Sequence, residues 1–198
     1  MGKAKIVQNF GRNLRFKPKY IYSPSSRVEL IDILQKHNNG KIRVVASKHS
    51  WSDLIETEDV LIDMSHFDYI RVQEKNHRTT VTVGAGCKVK RLLAELSRKG
   101  LTIPSVGLIA EQTIAGATAT GTHGSGKHSL SHYIESLQIA CFDETGKSAK
   151  IVDISEGESL QAARCSLGCL GVVVELTLPC IPQYFVQEKS TFCKTIEE

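Results

Sequence analysis

The sequence predicts an α+β fold of two lobes, on three observations. A strand–helix–strand order fills the early part of the chain, β-branched runs follow one another directly after about residue 72, and helical patterns are few and short. The first implies a small parallel strand-helix lobe, from about 17 to 71. The others imply a larger, mainly antiparallel sheet with flanking helices, from about 72 to 182.

Taken in order, Ser25 or Ser26 is placed to cap a helix over VELIDILQKHNNG, which Gly40 closes. The β-branched run KIRVVA, Lys41 to Ala46, reads as a strand, and so does VLIDM, Val60 to Met64. TTVTVGAG, Thr79 to Gly86, begins the second lobe. The next helix, VKRLLAELSRKG, sets Val89, Leu92, Leu93 and Leu96 on one face before Gly100. ESLQIACF (Glu135 to Phe142) and AKIVDI (Ala149 to Ile154) are strands joined as a hairpin by the DETG turn at Asp143 to Gly146. GVVVELTL, Gly171 to Leu178, is the last strand. Beyond Pro179 and Pro182 the pattern of compact elements ends, so 1–182 reads as one domain and 183–198 as the start of another.

Composition is that of a globular protein with a real core: 198 residues, 41% hydrophobic and 23% charged. The formal charge of +4 comes from 25 basic and 21 acidic residues. An early basic cluster runs from Lys3 to Lys19, but no basic stripe alternates with aromatics, so no nucleic-acid partner is expected. No stretch reaches the roughly 18 apolar residues of a membrane span. Six cysteines without a CxxC pair, and no signal-peptide pattern, point to a reducing, cytoplasmic setting.

Two glycine- and hydroxyl-rich stretches interrupt these elements. Ala115 to Gly126 carries Gly116, Gly121, Gly124 and Gly126 among Thr118, Thr120, Thr122, His123 and Ser125, so backbone approaches a ligand closely while N–H and hydroxyl groups face it. That suits a pyrophosphate, helped by a short helical turn around Ile114 to Thr118. It is neither a GxxxxGK[ST] loop nor a G-x-G-x-x-G turn. The other stretch, VVASKHSWSD, puts His49 directly after a buried strand with Ser47, Ser50 and Ser52 nearby; from the residues alone it is a loop histidine satisfied by backbone.

Together with QNFGRN near the N-terminus, YSPSSRVEL before the first helix and SLGCLGVVVELTL at 166–178, the loops SKHSWSDL and TIAGATATGTHGSG resemble, in sequence order, the FAD-binding (PCMH-type) domain of the vanillyl-alcohol-oxidase-type flavoproteins, in the branch of aldonolactone and alditol oxidases. The resemblance implies a two-lobed domain with FAD between the lobes. It implies that Val44, Val45, Ala46, Ser47, Lys48 and Ser50 wrap the flavin end, and that His49 stands where many members attach the cofactor covalently. Gly116, Thr120, Gly121, Thr122 and His123 would hold pyrophosphate and ribityl oxygens, with Thr113 nearby and Val172 touching FAD from the last strand. Gly107 matches a small residue against the flavin's reactive edge, which favours oxygen as acceptor. Relatives commonly have glycine at the Ala46 or Lys48 position, and a Cβ there costs about 1 kcal/mol if φ is positive.

The resemblance further implies a carbohydrate-derived substrate, an alditol or an aldono-1,4-lactone, and no catalytic residue in this chain. Relatives run to about twice the length and end in a His-Trp-Gly-Lys segment, whereas the only tryptophan here is Trp51. The alternative is an FAD- or nucleotide-binding module without activity of its own. Zinc is not expected, because His123, His128, His132, Cys165 and Cys169 fit no common zinc spacing. Cys141, Cys165, Cys169 and Cys180 sit among apolar neighbours and read as buried, unreactive thiols.

Overall fold

The computed structural model describes residues 5–126 and 128–193; Lys3 of the basic cluster, and 194–198 of the closing segment, lie outside them. The strands are β1 (Val7–Gln8), β2 (Arg15–Phe16), β3 (Tyr20–Tyr22), β4 (Ile42–Val45), β5 (Val60–Asp63), β6 (Ile70–Lys75), β7 (Arg78–Gly84), β8 (Leu101–Thr102), β9 (Ser136–Phe142), β10 (Ala149–Ile154), β11 (Val172–Pro179) and β12 (Ile181–Pro182). The helices are α1 (Arg27–Lys36), α2 (Val89–Ser97), α3 (Ile114–Ala119) and α4 (Gly157–Arg164).

Two sheets carry the fold. β3, β5 and β4 form a parallel sheet in that order, and β10, β9, β11, β7 and β6 form an antiparallel one. The α+β class holds. β6 belongs to the antiparallel sheet, so the change of sheet comes before Ile70 and not between 71 and 72.

Ser26 is the residue that caps α1: its side chain accepts from Glu29 N at 3.2 Å, while Glu29 accepts from Ser25 N at 2.8 Å. Leu30, Ile33 and Leu34 of α1 pack with Val60 and Ile62 of β5 and with Ala140, Val172 and Val174 of the large sheet, which ties the lobes together. On the opposite face of the large sheet, Leu137 and Ile139 meet Leu92 and Leu96 of α2, Ile114 and Ala117 of α3, and Leu160 and Ala163 of α4. Each fully buried leucine there contributes about 1.5 to 3 kcal/mol.

A bulge in β11 adds a polar tie between the lobes. Register passes from Val173 opposite Ile139 to Glu175 opposite Gln138, leaving Val174 as the extra residue. Glu175 thereby shares the α1 side of the sheet with Val174. Its Oε2 accepts from Arg27 at 2.7 Å, Arg71 at 2.7 Å and Tyr69 Oη at 2.6 Å, and Arg27 also donates to Gln138 Oε1 at 2.8 Å.

Burial, then the bond to Glu175, pushes the Tyr69 hydroxyl up to about 12. Because this lies above the unfolded value of about 10, the folded state holds the proton more tightly; the contribution is complete below pH ~10 and is lost as pH rises towards ~12. Alkaline unfolding of the wild-type chain is therefore expected to steepen between pH ~10 and ~12. Tyr69→Phe should lose that part of the slope in urea titrations, and an unchanged slope would remove Tyr69 from the account.

Candidate functional site

The C-terminal end of β4 opens into a cavity of about 190 Å³. β4 is an edge strand of the parallel β3-β5-β4 sheet, and the cavity lies at its C-terminal end, the end at which open α/β sheets hold ligands. One wall is the first loop, Val44, Val45, Ala46, Ser47, Lys48, His49 and Ser50; another is Gln112, Thr113, Ala115, Gly116, Ala119 and Thr120; a third is Leu167, Gly168, Gly171 and Val173. Leu54, Ile55, Met64 and Ala85 make the floor apolar.

The first loop is bracketed from several sides. Buried Asn9 donates from Nδ2 to Ser50 O at 2.8 Å, Asn13 donates to Trp51 O at 3.0 Å, and Phe10 N donates to Lys48 O at 2.9 Å. Thr113 N donates to Ser47 Oγ at 3.2 Å, which joins the two loops. Lys48 has φ of 57°, the left-handed conformation, costing about 1 kcal/mol for a non-glycine residue. Its ammonium, 3.0 Å from Asp63 Oδ2, holds the turn. The His49 ring stacks on Phe10 at 4.3 Å between centroids, with Trp51 edge-on to Phe10 at 4.9 Å.

In the second loop, Thr113 caps α3 by accepting from Gly116 N at 3.4 Å, and Cys87 O accepts from Ile114 N at 2.8 Å. The threonine hydroxyls do not all face a ligand. Thr118 donates to Ile114 O and Thr120 to Gly116 O, each at 3.0 Å, because a threonine late in a helix finds the carbonyl one turn back. Gly121, at φ 67°, ends the helix where side chains rarely fit.

Ten of the residues singled out by sequence share the cavity wall: Val44 to Ser50, Thr113, Gly116 and Thr120. Gly121, Thr122 and His123 continue the second loop beyond the wall, with His123 exposed and its Nδ1 2.9 Å from Gly124 O. Gly107 stands against that continuation: a Cβ there would come to 3.0 Å from Thr122 Cγ2. Val172 has its side chain in the α1 core, and Val173 lines the cavity. Asn9, Phe10, Gln112 and the Leu167–Gly171 wall were not singled out from sequence as site residues. Asn9 gave no signal beyond its place in QNFGRN, since a buried bracket looks like any surface asparagine.

Cys165 and Cys169 are exposed, which corrects the expectation of buried thiols. Their apolar neighbours Leu167 and Leu170 are themselves exposed on a turn, so apolar surroundings in sequence did not mean burial. Burial does push Cys180 and Cys87 up to about 11, and neither is poised for nucleophilic work at neutral pH. Among the described residues no group of three or more His, Cys, Asp or Glu is placed to hold a metal ion; His128 and His132 stack on each other at 4.0 Å.

The chain matches the model of a family described as FAD binding domain over residues 18–152. The chain belongs to this FAD-binding-domain family. FAD is the cofactor of this FAD-binding domain. The residues present suit it: an apolar floor for a planar ring, open space against Gly116 where only Thr113 Oγ1 lies near a built Cβ, and one ammonium for a phosphate. At about 190 Å³ the cavity has room for part of a dinucleotide, and the rest would lie along the surface. Gln112 Oε1, buried without a partner, is a polar atom that a turn of its amide would bring to a ligand.

A long-chain alcohol oxidase from an uncultured marine euryarchaeote is 46% identical over 191 residues, 96% of this chain and 40% of that protein. The mouse L-gulonolactone oxidase is 31% identical over 201 residues, 99% of this chain and 44% of that protein. The L-gulono-1,4-lactone dehydrogenase of Mycobacterium tuberculosis is 35% identical, covering 91% of this chain and 42% of that protein. The FAD-binding domain thus spans about two fifths of the length of these relatives. A solvent-stable cholesterol oxidase superposes with a TM-score of 0.81 over 90% of this chain and 37% of that one; at 19% identity this likeness concerns the fold alone. Among the described residues no helix is long and apolar enough to cross a membrane.

Proposed function

We propose that this domain is the cofactor-holding part of an oxidoreductase that oxidises a hydroxyl group by hydride transfer to FAD, with molecular oxygen as acceptor. The observation that carries the reading is the convergence of the two loops on one cavity, with His49 in its wall. When bound, the flavin supplies hydride acceptance and onward electron transfer. The chain's own residues hold and orient it: Val44 to Ser50, Thr113, Gly116 and Thr120 form the wall, Gly121, Thr122 and His123 continue the second loop towards it, and Val172 meets it through its backbone, between Gly171 and Val173 of the wall. His49 is the covalent attachment point, its ring plane fixed by the stack on Phe10. Gly107, where a side chain would press on Thr122, leaves room for oxygen at the flavin's reactive edge.

A sugar-derived hydroxyl, in an alditol or aldono-1,4-lactone, is the substrate, a reading that the gulonolactone-oxidising relatives support. Residues 1–182 are the FAD-binding domain, and 183–198 lead into a further domain that binds the substrate and removes the hydroxyl proton. Six free cysteines support the cytoplasm as its place of work. The 46% identical long-chain alcohol oxidase favours a second reading, an aliphatic alcohol as substrate.

A peroxide-coupled assay on the longer protein with xylitol, sorbitol, gulonolactone, galactonolactone and a long-chain primary alcohol separates these readings. Peroxide is expected with one of the sugar-derived compounds. Turnover of the aliphatic alcohol alone would select the second reading, and reduction of an artificial acceptor without peroxide would replace the oxidase by a dehydrogenase. Acid precipitation is expected to keep flavin with the wild-type pellet and release it from His49→Ala. Equal release from both would make the attachment non-covalent.

A further inference from the structure

Lys48 is the one lysine or arginine among the described residues of the cavity wall. Three features of it go together. Its backbone has φ of 57°, where glycine would be relaxed, so the loop keeps a side chain at a position that disfavours one. Its ammonium lies 3.0 Å from Asp63 Oδ2 and 3.4 Å from Ala46 O, which occupies two of its three N–H donors. Asp63 itself is not a residue of the wall, and its other carboxylate oxygen accepts from Ser65 N at 3.1 Å. The countercharge therefore anchors the lysine from outside the cavity while one ammonium donor remains.

We propose that Lys48 is the residue by which this site selects a phosphate-bearing flavin: held by Asp63 on one side, its ammonium donates to a phosphate oxygen of the cofactor on the other. The proposal rests on the reading of this cavity as the FAD site. FAD carries negative charge on its pyrophosphate, FMN on its monophosphate, and riboflavin carries none. Drawing such an anion against a floor of Leu54, Ile55, Met64 and Ala85 requires a cation or N–H donors to replace lost water. Thr120, also in the wall, donates its hydroxyl to Gly116 O and so has no free hydroxyl hydrogen for a phosphate oxygen. The cationic side-chain donor of the wall is Lys48, whose ammonium keeps one N–H beyond those given to Asp63 and Ala46 O.

The test is titration of the full chain with FAD, FMN and riboflavin, at low and high salt, followed by flavin fluorescence and calorimetry. Lys48→Met is expected to weaken FAD and FMN about tenfold, leave riboflavin within about twofold, and flatten the salt dependence of FAD binding. Lys48→Arg should restore most of the loss, and thermal melts of each variant check that the fold is kept. Equal weakening of FAD and riboflavin by Lys48→Met would overturn the proposal, since the lysine would then serve only to shape the loop. Gly116→Phe, which fills the cavity, is expected to abolish binding of all three flavins. FAD binding untouched by Gly116→Phe would remove the cavity as the site, and the proposal with it. Loss of binding in Gly116→Phe together with equal weakening in Lys48→Met would remove the proposal alone.

Discussion

Replacing Gly171 by alanine is expected to cost the fold about 3 kcal/mol or more and to abolish flavin retention. Gly171 immediately precedes β11 at the cavity wall and has φ of 133°, a backbone conformation that side chains rarely adopt. A Cβ there would overlap Ala140 O and come to 2.9 Å from Ile139 Cγ2. Neither neighbour yields, because β9 is hydrogen-bonded on both sides, to β10 and to β11, and Ile139 and Ala140 are buried. Either the first pairings of β11 open or the 167–171 wall shifts, and both outcomes deform the cavity. Urea unfolding and flavin content after gel filtration read the two effects. Gly126→Ala is the control: with nothing within 4 Å of a built Cβ, it should stay within about 0.5 kcal/mol of wild type.

Glu175→Ala is expected to lower stability by about 2 to 3 kcal/mol. It removes the acceptor shared by Arg27, Arg71 and Tyr69. The arginine side chains are 41% and 48% exposed, so water takes over much of their hydration and the loss stays below that of a fully buried ion pair. Tyr69, half-buried, has no second acceptor among its hydrogen bonds. Glu175→Gln keeps one oxygen for Tyr69 and one arginine, and should cost about half as much. If the alanine variant unfolds at the wild-type urea concentration, the network is ornamental and apolar packing around α1 alone joins the sheets.

Much of the fold was legible because its longer strands are β-branched and bounded by turn residues. AKIVDI forms β10 from Ala149 to Ile154, and the DETG turn makes the hairpin with β9. β6 was not legible. IRVQEK alternates too little, lies at the sheet edge, and turns into β7 through Asn76 and His77, both at positive φ with no glycine to mark the turn. α4 was missed as well, since its cap, Glu156, makes no side-chain hydrogen bond and Gly157 at φ of 66° reads as a breaker. The two loops of the candidate site stood out by glycine, serine and threonine content. What holds them did not: Asn9 acts from 41 residues away on Ser50, and Thr113 reaches Ser47 across 66. Such pairings come from tertiary packing and leave no local pattern. The Lys48 position carried a readable tension, a side chain where relatives commonly have glycine, and its left-handed φ with the Asp63 ion pair is the physical content of that departure.

Amide hydrogen exchange with and without FAD tests most directly whether FAD lies in the cavity between the first and second loops. Saturating FAD should slow exchange in peptides covering 44–50, 113–122 and 167–171, and leave the 143–147 hairpin turn unchanged. FAD bound at one equivalent with protection confined to other segments, and none in these three, would contradict the account.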